Sequence, residues 1–233
     1  MSVLLLPSIT AASAAVLAQQ VFHWEPLVHL PLPYDGFRLV HLLWAILIGV
    51  VAGAAGLAVD RAVPLLRRIT VALEARHLVL MGAVGGLVLG GLYAIGGEEV
   101  RFSGIPELLQ LAVRRDTLGA ILVALVVKIL ASSWSIAAGY RGGRIFPAAF
   151  VGGAAALAMH QLIPSIPISL ALAVGMSAAM ATALRYPVVA SLNAAAMVPA
   201  TLLPLSLIGV VAAHSVHLLA DEVNAARPQP SGG

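Results

Sequence analysis

The chain has 233 residues, of which 61% are hydrophobic and only 10% are charged, and its formal net charge is +3. Soluble domains carry roughly a quarter charged residues, and so few charges would leave a soluble protein of this size with too apolar a surface. The composition therefore indicates an integral membrane protein. Its dominant residues, Ala, Leu, Val and Gly, favour helices that pack closely through small residues, and its few aromatic residues (5%) argue against a membrane β-barrel.

Two apolar runs open the chain. Residues 4–22 predict a short membrane helix, which we expect to be retained because residues 1–24 contain no Lys or Arg and so lack the positive n-region of a signal peptide. Residues 23–36 are rich in proline and predict a loop. Residues 39–59 contain no Asp, Glu, Lys or Arg and are long enough to cross a bilayer, which takes about 20 residues. Gly49 and Gly53 lie four apart, a spacing that either serves close helix packing or is accidental.

Positive charge collects in residues 60–76, which include four arginines. Because cytoplasmic loops carry an excess of Lys and Arg, these residues predict a cytoplasmic loop. A second span follows at residues 77–97, where Gly86 and Gly90 form another small-residue pair.

A charged connection follows at residues 98–116 and contains a short amphipathic stretch. The third predicted span covers residues 118–138 and is interrupted once, by Lys128. An ionisable side chain within a span is a functional hypothesis by default, since burying its charge costs at least a few kcal/mol.

After Tyr140 the apolar segments become short and are broken by prolines. Residues 147–162 and 168–184 predict two short helices, and residues 188–220 are broken again, by Pro199 and Pro204. Irregular backbone at membrane depth is tolerated where it is buried or lines a wet cavity, and many transporters build ion sites from broken helices. We therefore predict one transmembrane domain over residues 1–220 and a disordered polar tail over residues 221–233.

The chemistry is concentrated in one hexapeptide, Gly142-Gly143-Arg144-Ile145-Phe146-Pro147. Paired glycines allow a tight turn and a close approach to a ligand, and proline is favoured in the first turn of a helix. The first N–H groups of that helix have no partner within it and lie at its positive end, so they can bind an anion without a cationic side chain. The same letters also suit an ordinary tight turn.

Other chemistry is not evident in the chain. The sequence has no cysteine, no cluster of metal-ligand residues, no nucleophile with a paired base and no phosphate-binding glycine loop. We therefore predict no catalytic residue, no metal and no cofactor, and we do not expect an enzyme. The arginines lie between apolar runs, so we interpret the positive charge as membrane orientation and expect no nucleic-acid partner.

The segment 139–153 resembles the second chloride-binding loop of the CLC family of chloride channels and transporters. That loop reads Gly-Gly-x-Phe-x-Pro and precedes a helix of small residues. The version found here, Arg-Gly-Gly-Arg-Ile-Phe-Pro, is similar to a bacterial branch of ion-transport proteins. The likeness extends over residues 102–220, because a lysine-containing span precedes the loop and Arg185-Tyr186-Pro187 and a Leu-Leu-Pro at 202–204 follow it.

The resemblance implies an all-α transmembrane fold of tilted and broken helices, corresponding to one of the two inverted repeats of a CLC subunit. It implies chloride as the transported substrate and an anion site at Gly142, Gly143, Arg144, Ile145, Phe146 and Pro147. Because Phe146 directly precedes Pro147, the amides facing the anion are those of Arg144, Ile145 or Phe146. Lys128 and Arg141 are candidates for an electrostatic role. The alternative for Lys128 is a structural role, such as snorkelling or pairing with Asp116.

The sequence also departs from the family. The Gly-x-Glu-Gly-Pro loop with a gating glutamate and the C-terminal helix with a pore-lining Tyr are missing. The letters Phe102-Ser103-Gly104-Ile105-Pro106 resemble the family's first anion loop, but they precede the Lys128 span and we interpret them as a coincidence. We therefore expect a multi-pass protein of the cell membrane that transports chloride but is incomplete alone. Its expected partners are lipid and either further copies of itself or a separately encoded N-terminal half. The alternative is a non-conducting remnant or an accessory subunit that packs against a partner half.

Overall fold

The computed structural model describes residues 10, 13–14, 16–23, 25–30, 33–74, 78–114, 116–140 and 142–225. In these ranges the chain forms helices and no strand, as predicted. Residues 16–21 are helical. The longer helices are α1 (Val40–Glu74), α2 (Leu78–Gly96), α3 (Ile105–Arg114), α4 (Leu118–Ala137), α5 (Ile145–Leu162), α6 (Ile168–Leu184), α7 (Pro187–Met197) and α8 (Leu203–Ala225), with a 3₁₀ turn at Glu98–Val100. Five of them, α1, α2, α4, α5 and α8, are long and apolar enough to cross a membrane.

The helices α5 and α6 form the centre of the fold. Every residue of α6 from Ser169 to Thr182 is buried, and α5 is buried from Ala148 to Ala158. The two helices approach so closely that a Cβ on Gly152 would collide with the backbone of Gly175, and a Cβ on Gly175 would lie 2.5 Å from the carbonyl oxygen of Gly152. Small residues thus let two backbones touch without a gap, as is usual between membrane helices.

The long helix α1 corrects the prediction of a loop at residues 60–76, because the helix continues through them to Glu74. At 1.5 Å per residue its 35 residues extend for about 52 Å, well beyond the roughly 30 Å of a bilayer core. Hydrogen bonds to other helices hold the polar second half of α1 in place. Arg67 and Thr70 donate to the carbonyl oxygen of Ala137, at 2.9 and 2.7 Å, and Arg61 donates to that of Ala220 at 3.0 Å.

The predicted spans at 77–97 and 118–138 are confirmed as α2 and α4, and the predicted helix 168–184 coincides with α6. The segment 188–220 divides into α7 and α8, with Pro199 in the break between them. The helix α8 continues to Ala225 and so enters the region 221–233, which was expected to be a disordered tail. Residues 226–233 and nine residues of the predicted helix 4–22, namely 4–9, 11, 12 and 15, lie outside the described residues.

The two small-residue pairs have different surroundings. A Cβ on Gly49 would collide with Gly209, and one on Gly53 with Ala213, so this pair packs α1 against α8. The close-packing interpretation of that pair is therefore correct, but the contact lies within the chain. On α2, a Cβ added to Gly86 or to Gly90 would meet nothing within 4 Å, so this second pair remains open.

Candidate functional site: a cavity at the start of helix α5

The turn before the site ends α4 and sends the chain toward α5. Gly139 has a φ of +78°, which glycine adopts without strain. Its N–H donates to Ile136, and the N–H of Tyr140 donates to Ser135 at 3.0 Å, the paired bonds of a Schellman motif. This corrects the expectation for Gly142 and Gly143. Neither has a positive φ, and a Cβ on either would meet open space, so Gly139 makes the turn.

The helix α5 begins at Ile145, two residues before the predicted start at Pro147. Its first bond runs from the N–H of Ala148 to the carbonyl oxygen of Arg144, at 3.2 Å. Pro147 is therefore the third helical residue and has no N–H to satisfy. Among the described residues no backbone acceptor is found for the N–H groups of Arg144, Ile145 and Phe146. These are the three amides that the sequence predicted to face an anion, and they lie at the positive end of α5.

A cavity of about 660 Å³ opens beside these amides. Its walls come from α1, α2, α4, the start of α5 and the connection that precedes α3. Most of the predicted site residues line it, namely Gly142, Gly143, Arg144, Phe146, Pro147 and Lys128. Ile145 is not among the lining residues, and Arg141 lies outside the described part of the chain. The fold thus places the loop at 142–147 and Lys128 of α4 in the wall of the same cavity.

Lys128 is buried in the wall of this cavity, with only 2% of its surface exposed. Its ammonium donates to the carbonyl oxygens of Val100 and Phe102, at 2.9 and 2.8 Å, and lies 5.0 Å from the ring centroid of Phe150. Within the described ranges it forms no ion pair with a carboxylate, and the suggested pairing with Asp116 is not observed. Lys128 therefore anchors the connection to α4 while its positive charge has no direct counter-charge.

Asp60 supplies the negative charge of the cavity wall. Its side chain is 9% exposed, and Oδ1 lies 3.9 Å from Nη1 of Arg144. Arg144 is itself about half exposed at the N-terminal boundary of α5. At the carboxyl end of α4, Arg67 and Thr70 donate to the carbonyl oxygen of Ala137 and so offset part of the negative potential of that helix end. The lining thus holds two cations, one carboxylate and the positive end of a helix.

Five hydroxyl groups in the lining were not predicted from the sequence: those of Tyr93, Ser103, Ser132, Ser135 and Tyr140. Ser132 and Ser135 lie one turn apart on α4. A run of serines within an apolar span is a sequence feature from which these two could have been predicted. Ser103 belongs to the segment whose family likeness was interpreted as a coincidence, and the structure places this segment in the cavity wall, next to the carbonyl groups that Lys128 binds.

These groups place several hydrogen-bond donors and an excess of positive charge in the wall of a mostly apolar cavity. Backbone amides, hydroxyls and a guanidinium can together replace the hydration shell of a small anion. In the part of the chain that is described, no group of three or more His, Asp or Glu side chains is placed to hold a metal ion.

Comparison with known proteins gives a consistent picture. The sequence profile of the family described as "Voltage gated chloride channel" matches residues 1–217. The chain is 34% identical over 203 residues to the "Putative ion-transport protein YfeO" of Salmonella typhimurium, covering 85% of this chain and 48% of the relative. It is 33% identical to the protein of the same name from Escherichia fergusonii, covering 85% and 47%. The chain thus spans about half the length of these curated relatives.

The family match and the five apolar helices make this a multi-pass membrane protein. The family inferred from the loop at 139–153 is confirmed, and the chain belongs to the voltage gated chloride channel family, the CLC family of channels and transporters.

Proposed function

We propose that the chain contributes to the transport of small inorganic anions, chloride foremost, and that the cavity at the start of α5 is its anion site. One observation carries this proposal: the amides of Arg144, Ile145 and Phe146 have no backbone acceptor among the described residues and belong to the loop that lines the cavity. An ion bound there would satisfy donors that are otherwise left over. The buried charge of Lys128 favours an anion over a cation in the same space.

Chloride suits this site because it makes no directional demand on its donors. The donors come from several elements, including the first turn of α5, the serines of α4 and Arg144. Donors that surround a space in this way suit a spherical ion better than a planar carboxylate. The ion-transport names of the relatives agree with this assignment. In this proposal Arg144 and Lys128 attract the anion, and the amides of the first turn hold it.

We further propose that transport requires an assembly in the cell membrane, made with a separately encoded half or with a second copy of the chain. The relatives are about twice as long. The helix α2 has room for such a contact, since Val79, Leu87 and Ile95 are strongly exposed and Gly90 is open; Gly86, in contrast, lines the cavity. An apolar face of this kind faces either lipid or another membrane helix.

The test uses the chain purified in mild detergent. Calorimetric titration with sodium chloride is expected to show saturable binding, and titration with sodium gluconate, whose planar carboxylate does not match donors that surround a single ion, is expected to show none. Mass measurement of the detergent particle then gives the stoichiometry, and the same preparation is placed in liposomes for chloride-efflux measurements. Equal responses to both salts would refute the anion site.

The efflux result decides between the two functions. Efflux from an oligomer, or after addition of a partner half, supports transport by an assembly. Chloride binding without efflux in any assembly would favour the alternative, a non-conducting accessory subunit. Efflux from a single chain would show that no partner is required.

A further inference from the structure

Three elements of the fold meet at Asp60. Its carboxylate lies on α1, with Oδ1 3.9 Å from Nη1 of Arg144 at the start of α5 and Oδ2 3.5 Å from Nη2 of Arg185, the residue that ends α6. Arg185 adopts a left-handed backbone conformation with a φ of +58°, which is strained for a residue with a side chain. The next residue on α1, Arg61, is directed away to the carbonyl oxygen of Ala220.

The carboxylate is held by charge and not by hydrogen bonds. Oδ2 is buried and has no hydrogen-bond partner, since at 3.5 Å the guanidinium of Arg185 neutralises its charge without donating to it. A buried carboxylate normally accepts several hydrogen bonds, because desolvation otherwise penalises the charged form. The contact with Arg144 is longer still, at 3.9 Å. Asp60 is thus an incompletely satisfied anion in the wall of a cavity that is otherwise positive.

We propose that Asp60 is the built-in counter-anion of this cavity, and that it sets the affinity for the transported anion by competing for Arg144. This inference rests on the proposed function and adds a residue that controls it. In the empty cavity Asp60 neutralises Arg144. An entering anion draws the guanidinium away from Asp60, while Arg185 keeps the carboxylate partly compensated. Asp60 thereby prevents the anion from binding too tightly to leave, which conduction requires.

The proposal predicts opposite effects on chloride affinity for substitutions of the two partners in the Asp60–Arg185 ion pair. Asp60→Asn removes the competing charge and keeps the shape, so chloride should bind about tenfold more tightly, as expected for a partly screened unit charge at the cavity wall. Arg185→Gln removes one of the two ion-pair partners of Asp60 and leaves Arg144, so Asp60 should hold Arg144 more strongly and chloride should bind roughly threefold more weakly. The effect is modest because Arg185 is mostly exposed. In the double variant the effect of Arg185→Gln should disappear.

The experiment is chloride titration of the full chain in detergent for the wild type, Asp60→Asn, Arg185→Gln and the double variant. Glu222→Gln is the matched control, because it removes one carboxylate charge from an exposed position on α8 and should leave the affinity unchanged. Thermal unfolding of each variant is measured in parallel. If Asp60 served only to hold the three elements together, both single variants would lose stability and bind chloride more weakly, which would overturn the proposal.

The remaining outcomes separate this inference from the proposed function. Saturable chloride binding by the wild type without tighter binding by Asp60→Asn would overturn the counter-anion role alone. If Asp60→Asn does not yield folded protein, Arg185→Gln decides: weaker binding with unchanged thermal stability supports the role, whereas weaker binding together with a loss of stability, or unchanged or tighter binding, overturns it. No saturable binding by the wild type would overturn the proposed function, and this inference with it.

Discussion

Replacing Lys128 by methionine removes the buried positive charge of the cavity and leaves an unbranched side chain of similar length. A sphere with the volume of the cavity, about 660 Å³, places its centre roughly 5 Å from the wall. At that distance and an effective dielectric constant of about 20, one unit charge contributes about 3 kcal/mol to the binding of an anion. Since each 1.4 kcal/mol is a factor of ten, we expect the Kd for chloride to rise between roughly tenfold and a hundredfold, the lower value applying if water in the cavity screens the charge.

The same substitution should change stability much less. It removes two hydrogen bonds from a charged donor to the carbonyl groups of Val100 and Phe102, worth about 1.5–3 kcal/mol each. It also removes the desolvation penalty of a buried ammonium group, which is several kcal/mol. The two effects oppose each other, so we expect the free energy of unfolding to change by no more than about 2 kcal/mol.

The measurement is calorimetric chloride titration with parallel unfolding in detergent. Arg114→Met is the matched control, because it removes a cation whose side chain is 60% exposed and should change the Kd less than about threefold. Lys128→Arg keeps the charge and should retain most of the affinity. A Kd for Lys128→Met within threefold of the wild type, in a folded protein, would refute the electrostatic reasoning and leave Lys128 with its anchoring role alone.

Three further predictions concern the helix start, the core and the topology. Ile145→Pro removes the backbone N–H at the first position of α5, where proline is tolerated, and should weaken chloride binding roughly tenfold or more, whereas Ile145→Ala should not. Equal effects in calorimetry would exclude a backbone site. Gly152→Ala forces α5 and α6 apart and should lower the free energy of unfolding by about 1–3 kcal/mol, whereas Gly91→Ala, in open space on α2, should be neutral or stabilising in the same unfolding assay. The chain has no native cysteine, so a single cysteine at Arg68 should resist an impermeant maleimide in intact cells if this end is cytoplasmic, and one at Glu25, at the opposite end of the fold, should react. The reverse labelling pattern would invert the topology.

Much of the helical architecture could be predicted from the sequence because it follows from local rules. The length of an uninterrupted apolar run decides whether a helix can cross a bilayer, and this rule located α2 and α4. Prolines and glycines end helices through local sterics, which is why the predicted helix 168–184 coincides with α6. The free amides at the start of α5 were also predictable, since every helix begins with unpaired N–H groups.

Tertiary structure decided where charged residues could stay in a helix. The apolar pattern predicted that the first long span ends at Val59, but α1 continues because Arg144 and Arg185 offset the charge of Asp60 and the carbonyl oxygens of Ala137 and Ala220 accept hydrogen bonds from its polar side chains. None of these partners is close to Asp60–Arg67 in the sequence, so no local pattern could have indicated them. The early start of α5 is a smaller difference, because proline is accepted anywhere in the first turn of a helix.

The sequence alone therefore determined the class of protein, its apolar spans and the loop proposed as the anion site, because length, composition and backbone sterics act within a few residues. Only the packing of the helices decided what faces that loop. It placed Lys128 against carbonyl groups 26 and 28 residues away and brought Asp60 and the serines of α4 to the same cavity. Charge and hydrogen bonding act through space, so the balance of charge at the site is a property of the folded chain.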